Sequence, residues 1–170
     1  ISKKGLTFPD AVQYLADKNG ITVTQSTQDT EASRLASKRR ANLLVIADAC
    51  SSLYHQTLLH ALHGKTPRDY LEKRGINQNS IENFKLGFVP NTSSFSLPRL
   101  VKKFPELDAN EIKECLVEIG LVKAGRGEEV FDVMRGRVIF PIRRNDGKVV
   151  AFGGRILDKS QSAAKYLNTK

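Results

Sequence analysis

One stretch near the end of the chain leaves the backbone little choice. From Val138 to Ile142 an apolar, β-prone run leads to Asn145-Asp146-Gly147, and a second β-prone run follows from Val149 to Phe152. Asp-Gly supplies the positive φ angles of a tight turn, so the two runs are expected to pair as an antiparallel hairpin. Arginines mark both of its ends. Arg135 and Arg137 enter it, Arg143 and Arg144 approach the turn, and Arg155 leaves it directly after Gly153-Gly154. Two residues without Cβ let another backbone or a phosphate come close, and they permit a bulge that would re-aim Arg155. After a short polar turn come Lys165, Tyr166 and Asn168, which offer a cation for phosphate and a ring and an amide for a base or sugar. Spacing alone is equally compatible with a surface hairpin whose arginines are simply solvated.

The charge balance bears on that choice. The chain of 170 residues carries a formal net charge of +9, which favours a polyanionic partner, nucleic acid first. Between Leu121 and Lys170 stand 11 Lys or Arg against 5 Asp or Glu, so most of the excess lies around the hairpin. No apolar run approaches the roughly 20 residues that span a bilayer, and nothing resembles a signal peptide. Cys50 and Cys115 fall on apolar stripes of expected helices, read as buried free thiols in a reducing compartment. With no CxxC there is no zinc ribbon within the chain. His55, His60 and His63 do not share one helical face, which argues against a zinc site. Ile1 in place of Met suggests an excised segment.

The preceding residues read as mainly helical. Thr7-Phe8-Pro9-Asp10 has the form of a helix start, with Ala11, Val12, Leu15 and Ala16 as its apolar face and Gly20 as its end. Val23 to Thr30 reads as a polar linker. From Glu31 to about Leu62, Leu35, Leu43, Ile46, Ala47, Cys50, Leu53, Tyr54, Leu58 and Ala61 recur at near-helical spacing. Lys38, Arg39 and Arg40 on this helix read as a solvated face sooner than as a nucleic-acid contact. Thr66 to Asp69 repeats the capping pattern of a helix that Gly75 stops, with Arg74 in its last turn. A short helix from Ser80 to Phe84 precedes a strand, Leu86 to Val89, closed by Pro90. Leu97 to Phe104 and Asp108 to Ile119 are two more helices, the second opened by the Asp108–Glu111 capping box and closed by Gly120. A turn over Gly125 to Glu129 joins Leu121-Val122 to Val130-Phe131. The expected class is α+β, a helical N-terminal half packed on a small, mainly antiparallel sheet containing the Val138–Ile156 hairpin, with Phe140 and Ile142 in its core.

The order of the pieces carries a further signal. Asp132, Arg135, Arg137, Val138, Phe140-Pro141-Ile142, the turn, Gly147, Val149, Ala151, Phe152-Gly153-Gly154-Arg155 and Lys165-Tyr166-Leu167-Asn168 resemble the RNA-polymerase core of bacterial-type DNA primases, the DnaG family. Upstream, Tyr70-Leu71-Glu72-Lys73-Arg74-Gly75-Ile76, then Ile81, Phe84, Gly87-Phe88 and Pro90, is similar to a second block of that family. Two motifs in the right order are far more specific than either alone, and the resemblance spans nearly the whole chain. Three departures stand out. Val133-Met134 replaces an Arg-Phe or similar pair, Gly136 replaces a commonly polar residue and could loosen the two arginines beside it, and Thr169-Lys170 replaces Ser-Pro.

The resemblance implies a division of labour. Residues 1–28 would be the helix and linker that follow an upstream zinc-binding domain, and 29–170 the N-terminal subdomain of the catalytic core. This chain has neither DxD nor an EG(Y/F) glutamate; the resemblance implies that a TOPRIM domain further downstream would hold Mg²⁺ or Mn²⁺. Arg74, Arg135, Arg137, Arg155 and Lys165 would hold phosphates of template, heteroduplex or incoming nucleoside triphosphate; Tyr166 and Asn168 would position a base or sugar. Asp132 would orient Arg135 by a salt bridge. No catalytic or metal-binding residue is expected within the chain, which alone would be inactive. The whole enzyme would make short RNA primers on single-stranded DNA during replication, with a replicative helicase and single-strand-binding protein as partners, in the bacterial cytoplasm or an organelle. Two alternatives remain open: a non-catalytic basic module that binds single-stranded nucleic acid, and a primase lobe fused to a helicase.

Overall fold

The computed structural model describes residues 8–21, 31–60, 62–125, 129–158 and 163–169. Helices α1 (Phe8–Lys18), α2 (Glu31–Leu59), α3 (Lys65–Glu72) and α4 (Gln78–Asn83) precede strand β1 (Gly87–Val89). Helices α5 (Ser96–Lys103) and α6 (Ala109–Ile119) lead into β2 (Val122–Ala124), β3 (Val130–Asp132), β4 (Arg137–Arg143), β5 (Val149–Ile156) and β6 (Tyr166–Asn168). The chain divides into two units, Ile1–Arg39 and Arg40–Lys170. In the first, α1 is closed by Gly20 at φ +66°, the left-handed conformation that favours glycine. The Thr7 cap and the Val23–Thr30 linker lie outside the described residues.

The expected α+β class is what forms. Strands β1, β4, β5 and β6 make, in that order, an antiparallel sheet, and β2 pairs with β3 separately. The hairpin runs in register from Arg137↔Ile156 to Ile142↔Ala151, with an irregularity at Ile142/Arg143 and a turn that Gly147 enters at φ +84°. Alternation along β4 divides the interior in two. Ile139 joins a core built with Ile46, Cys50 and Tyr54 of α2 and with α5 and α6. Its neighbour Val138 points the other way, into a smaller cluster with Leu58, Leu71, Ile81 and Leu86. The sheet centre is therefore buried on both sides by helices.

Four local expectations need correction. Ile142 is 46% exposed, because the smaller cluster ends at Phe140 and the hairpin tip projects beyond it. Leu35 is exposed as well, the buried residues of α2 running from Ile46 to Leu58. Thr66 is not a cap: α3 begins at Lys65 with Gly64 before it, while Arg68 Nη1 donates to the carbonyls of Leu58 and His60 at the end of α2. The Asp108–Glu111 box is half realised. Asp108 accepts the Asn110 and Glu111 N–H groups, but Glu111 Oε1 accepts instead from Asn42 Nδ2 at 2.6 Å, tying α6 to α2.

The hairpin tip is tethered. Arg143 donates to the Gly147 carbonyl at 2.7 Å and reaches Asp48 and Ser51 of α2. Beside it the Arg144 guanidinium, hydrogen-bonded to Asp146, holds that carboxyl down at about 2. A carboxylate depressed below its free value of about 3.9 stabilises the fold fully only above about pH 4. That support is lost as pH falls through about 2. An NMR titration of the Asp146 carboxyl should give a midpoint near 2; a midpoint near the free value would mean that the pair does not form in solution.

Candidate nucleic-acid interface

The residues that the hairpin motif brought together in sequence lie on two faces of the sheet. The register places Phe88, Val138, Arg155 and Tyr166 in one row across the four strands, hence on one face. Helices α3 and α4 cover the β1–β4 half of that face through Leu71 and Ile81. The β5–β6 half is where Arg155, the exposed Tyr166 and, two residues on, Asn168 stand.

Arg155 is the centre of this group. Its guanidinium lies 5.1 Å from the Tyr166 ring centroid and 5.3 Å from that of Tyr70 on α3, and its Nη1 donates to the Tyr166 hydroxyl. Arg74, in the turn that follows α3 and not in its last turn as expected, lies 5.6 Å from the same Tyr70 ring. Lys165 Nζ lies 5.6 Å from Tyr166. A pocket of about 290 Å³ opens here, lined by Tyr70, Arg155, Ile156, Leu157, Asp158, Ala163 and Lys165. Arg155 Nε is buried and meets no partner among the described residues. Arg74, Arg155, Lys165 and Tyr166 thus meet in space although Arg74 is far away in sequence, and Tyr70, which joins them, was not among the residues expected to act. Its signal was present: an aromatic ring four residues before an arginine at the end of a helical pattern.

Arg137 faces the other way. It pairs with Val89 and Ile156, and at 4% exposure it is buried. Its stem crosses β5 at Gly154, where an added Cβ would lie 3.0 Å from Arg137 Cδ and 2.6 Å from Met134 Sδ, and its Nη1 reaches the Lys165 carbonyl at 3.5 Å. Gly154 therefore makes room for Met134 and Arg137, and the ladder runs through it without a bulge; the expected opening for a phosphate at the glycine pair is a packing site on this side. Burial lowers the Arg137 pKa, and the neighbouring Arg135 adds to the effect. Arg135 is exposed, and together with Arg137, Lys123, Phe131 and Leu167 it lines a second, wider pocket of about 660 Å³.

Asp132 does not orient Arg135 through its carboxylate. Its oxygens are buried and accept from the Phe95 and Ser96 N–H groups, at 2.5 and 3.1 Å, and from the Ser96 hydroxyl, capping α5 from a distant strand. Arg135 Nη1 meets the Asp132 peptide oxygen instead, at 3.4 Å. Nor is Gly136 loose. It takes φ +68° between the two arginines, its N–H donates to the Val89 carbonyl at 2.8 Å, and its own carbonyl accepts from Leu157. Of the histidines, His55 is buried with Nδ1 2.7 Å from the Leu86 carbonyl, while His60 and His63 stack on each other. Burial pushes the Cys50 thiol up, as expected of an inert core thiol.

The fold of this lobe is shared with solved primase cores. The DnaG primase catalytic domain bound to ssDNA is 31% identical, with a TM-score of 0.66 over 79% of this chain and 40% of that one. The RNA polymerase domain of Mycobacterium tuberculosis primase DnaG, in complex with double-stranded DNA, gives 30% and 0.67 over 77% and 39%. The DNA primase of Halalkalibacterium halodurans is 34% identical over 98% of this chain and 26% of its own length, and that of Salmonella typhimurium 32% over 96% and 26%. Residues 54–170 match the family described as DNA primase catalytic core, N-terminal domain, and the chain belongs to that family. It spans about a quarter of the length of these curated relatives.

Proposed function

We propose that this chain is the N-terminal lobe of the catalytic core of a DNA primase, an RNA polymerase that lays short primers on single-stranded DNA, and that it forms the basic wall of the active-site cleft. The observation that carries this reading is the meeting of Arg74, Arg155, Lys165 and Tyr166 on the β5–β6 half of one sheet face, with Asn168 beside them. Cations next to exposed rings suit a strand whose phosphates need neutralising and whose bases need stacking. Arg135 and Arg137 would hold phosphate on the opposite face. Contacts of this kind fix the path of a strand without reading its sequence.

Residues 1–28 would link to an upstream zinc-binding domain, and 29–170 would form the subdomain itself. Primer synthesis needs Mg²⁺ or Mn²⁺ to neutralise triphosphate charge. Among the described residues no three His, Cys, Asp or Glu come together as metal ligands. A TOPRIM domain beyond this chain would carry the metals. Replicative helicase and single-strand-binding protein would be partners of the whole enzyme, which would work at the replication fork in the cytoplasm. No described helix is long and apolar enough to cross a membrane.

The reading is tested by single-stranded DNA binding across a salt series for the chain and its Arg155→Ala/Lys165→Ala variant. Each phosphate contact contributes about 0.7 to the log–log slope for a single strand, so the variant should bind more weakly and with a slope shallower by about 1.4. Unchanged affinity and slope would remove these residues from the interface.

A further inference from the structure

Every cation in the Arg155 group has a role in the proposed interface, but Tyr70 has none. It sits on α3, half-buried against the smaller core cluster, with one guanidinium 5.6 Å and another 5.3 Å from its ring centroid. Arg155 in turn lies between Tyr70 and Tyr166. A carboxylate in the place of Tyr70 would also hold two arginines, but it would cancel charge and compete with a phosphate. A ring attracts a cation through its quadrupole and leaves its net charge in place. Arg74 comes from the turn that follows α3 and Arg155 from β5, so without a shared surface each would explore its own rotamers, and ligand binding would have to restrict both.

We propose that Tyr70 is a positioning residue: its ring holds Arg74 and Arg155 side by side as an uncancelled pair of positive charges, set for adjacent phosphates of a single strand. This rests on the nucleic-acid reading of the Arg155 face. Tyr70 acts through the two arginines and contributes no charge, so its removal lowers affinity while leaving the salt slope alone. That combination separates it from the cations, whose loss changes both.

The experiment measures binding of a single-stranded oligothymidylate to the chain across a salt series for Tyr70→Leu, Tyr70→Phe, Arg155→Ala and the Tyr70→Leu/Arg155→Ala double variant, with circular dichroism of each. Leucine keeps an apolar side chain against the core but has no ring, and phenylalanine keeps the ring. Tyr70→Leu should bind about fivefold more weakly with an unaltered slope, and Tyr70→Phe should restore wild-type affinity. In the Arg155→Ala background Tyr70→Leu should cost less than it does alone, because one of the two groups it positions has gone. Full additivity of the two losses, or an affinity unchanged in Tyr70→Leu, would overturn the positioning role while Arg155→Ala still reports the interface. If Arg155→Ala itself leaves affinity and slope unchanged, the nucleic-acid reading of this face fails, and the role of Tyr70 with it. A Tyr70→Leu variant that loses its helical circular dichroism while Tyr70→Phe keeps wild-type fold and affinity would also overturn it, since the ring would then be serving the core.

Discussion

Replacing Gly87 with alanine is expected to cost about 3 kcal/mol of folding stability, the upper end of what overpacking a dense core costs. The added Cβ would lie 2.6 Å from Tyr54 Cβ, 2.9 Å from the Tyr54 carbonyl carbon and 3.2 Å from His55 N. Two of those atoms belong to the backbone of α2 and cannot rotate aside. The strand and the helix would have to separate, opening both the Tyr54–Phe152 edge-to-face contact, at 5.9 Å between ring centroids, and the His55–Leu86 hydrogen bond. Urea unfolding should show the midpoint falling by at least about 1 M with little change in slope. A midpoint within error of the parent would mean that β1 does not pack so closely on α2.

Asp132→Ala should be comparably severe, at about 4 kcal/mol, because it leaves two N–H groups and a hydroxyl without their buried acceptor. The Ser96 hydroxyl also pairs with Tyr54 at 2.7 Å, so the loss reaches the centre of the larger core. For a domain of this size the fall in Tm is about 2–4 °C per kcal/mol, roughly 12 °C in all. Asp132→Asn keeps one acceptor oxygen but points an amide donor at other donors, and should fall between the two. Single-stranded DNA affinity below the transition should change little for either variant. A large loss of affinity with unchanged Tm would instead favour the role expected from sequence, in which Asp132 orients Arg135.

These two positions show where sequence was readable and where it was not. The hairpin could be read because its determinants are local: two β-prone runs, Asn-Asp-Gly between them, and a glycine that takes φ +84°. The Asp108 cap and the Gly20 and Gly120 stops are equally local. Gly87 was visible only as a letter in a family block, because its reason is a helix more than thirty residues earlier in the chain. Gly154 drew a ligand-side explanation for the same cause, its neighbours Met134 and Arg137 lying elsewhere along the chain. The seven expected site residues were legible as types, since cations and an aromatic in family order are a pattern of composition. Their division between two faces was not legible, because it depends on the register of β4 with β5 and, for Tyr166 and Asn168, on how β6 pairs.

That pairing rests on little. Strand β6 meets β5 through Gly153↔Asn168, Gly154↔Leu167 and Arg155↔Tyr166, and Leu167 packs against the larger core between two outward neighbours. Sliding it by a single residue would turn Leu167 out to water and Tyr166 and Asn168 in. A leucine packed against the core therefore decides which side of the protein wears the aromatic ring and the amide, much as the keying of a connector, and not its pins, decides which way round it can be plugged in.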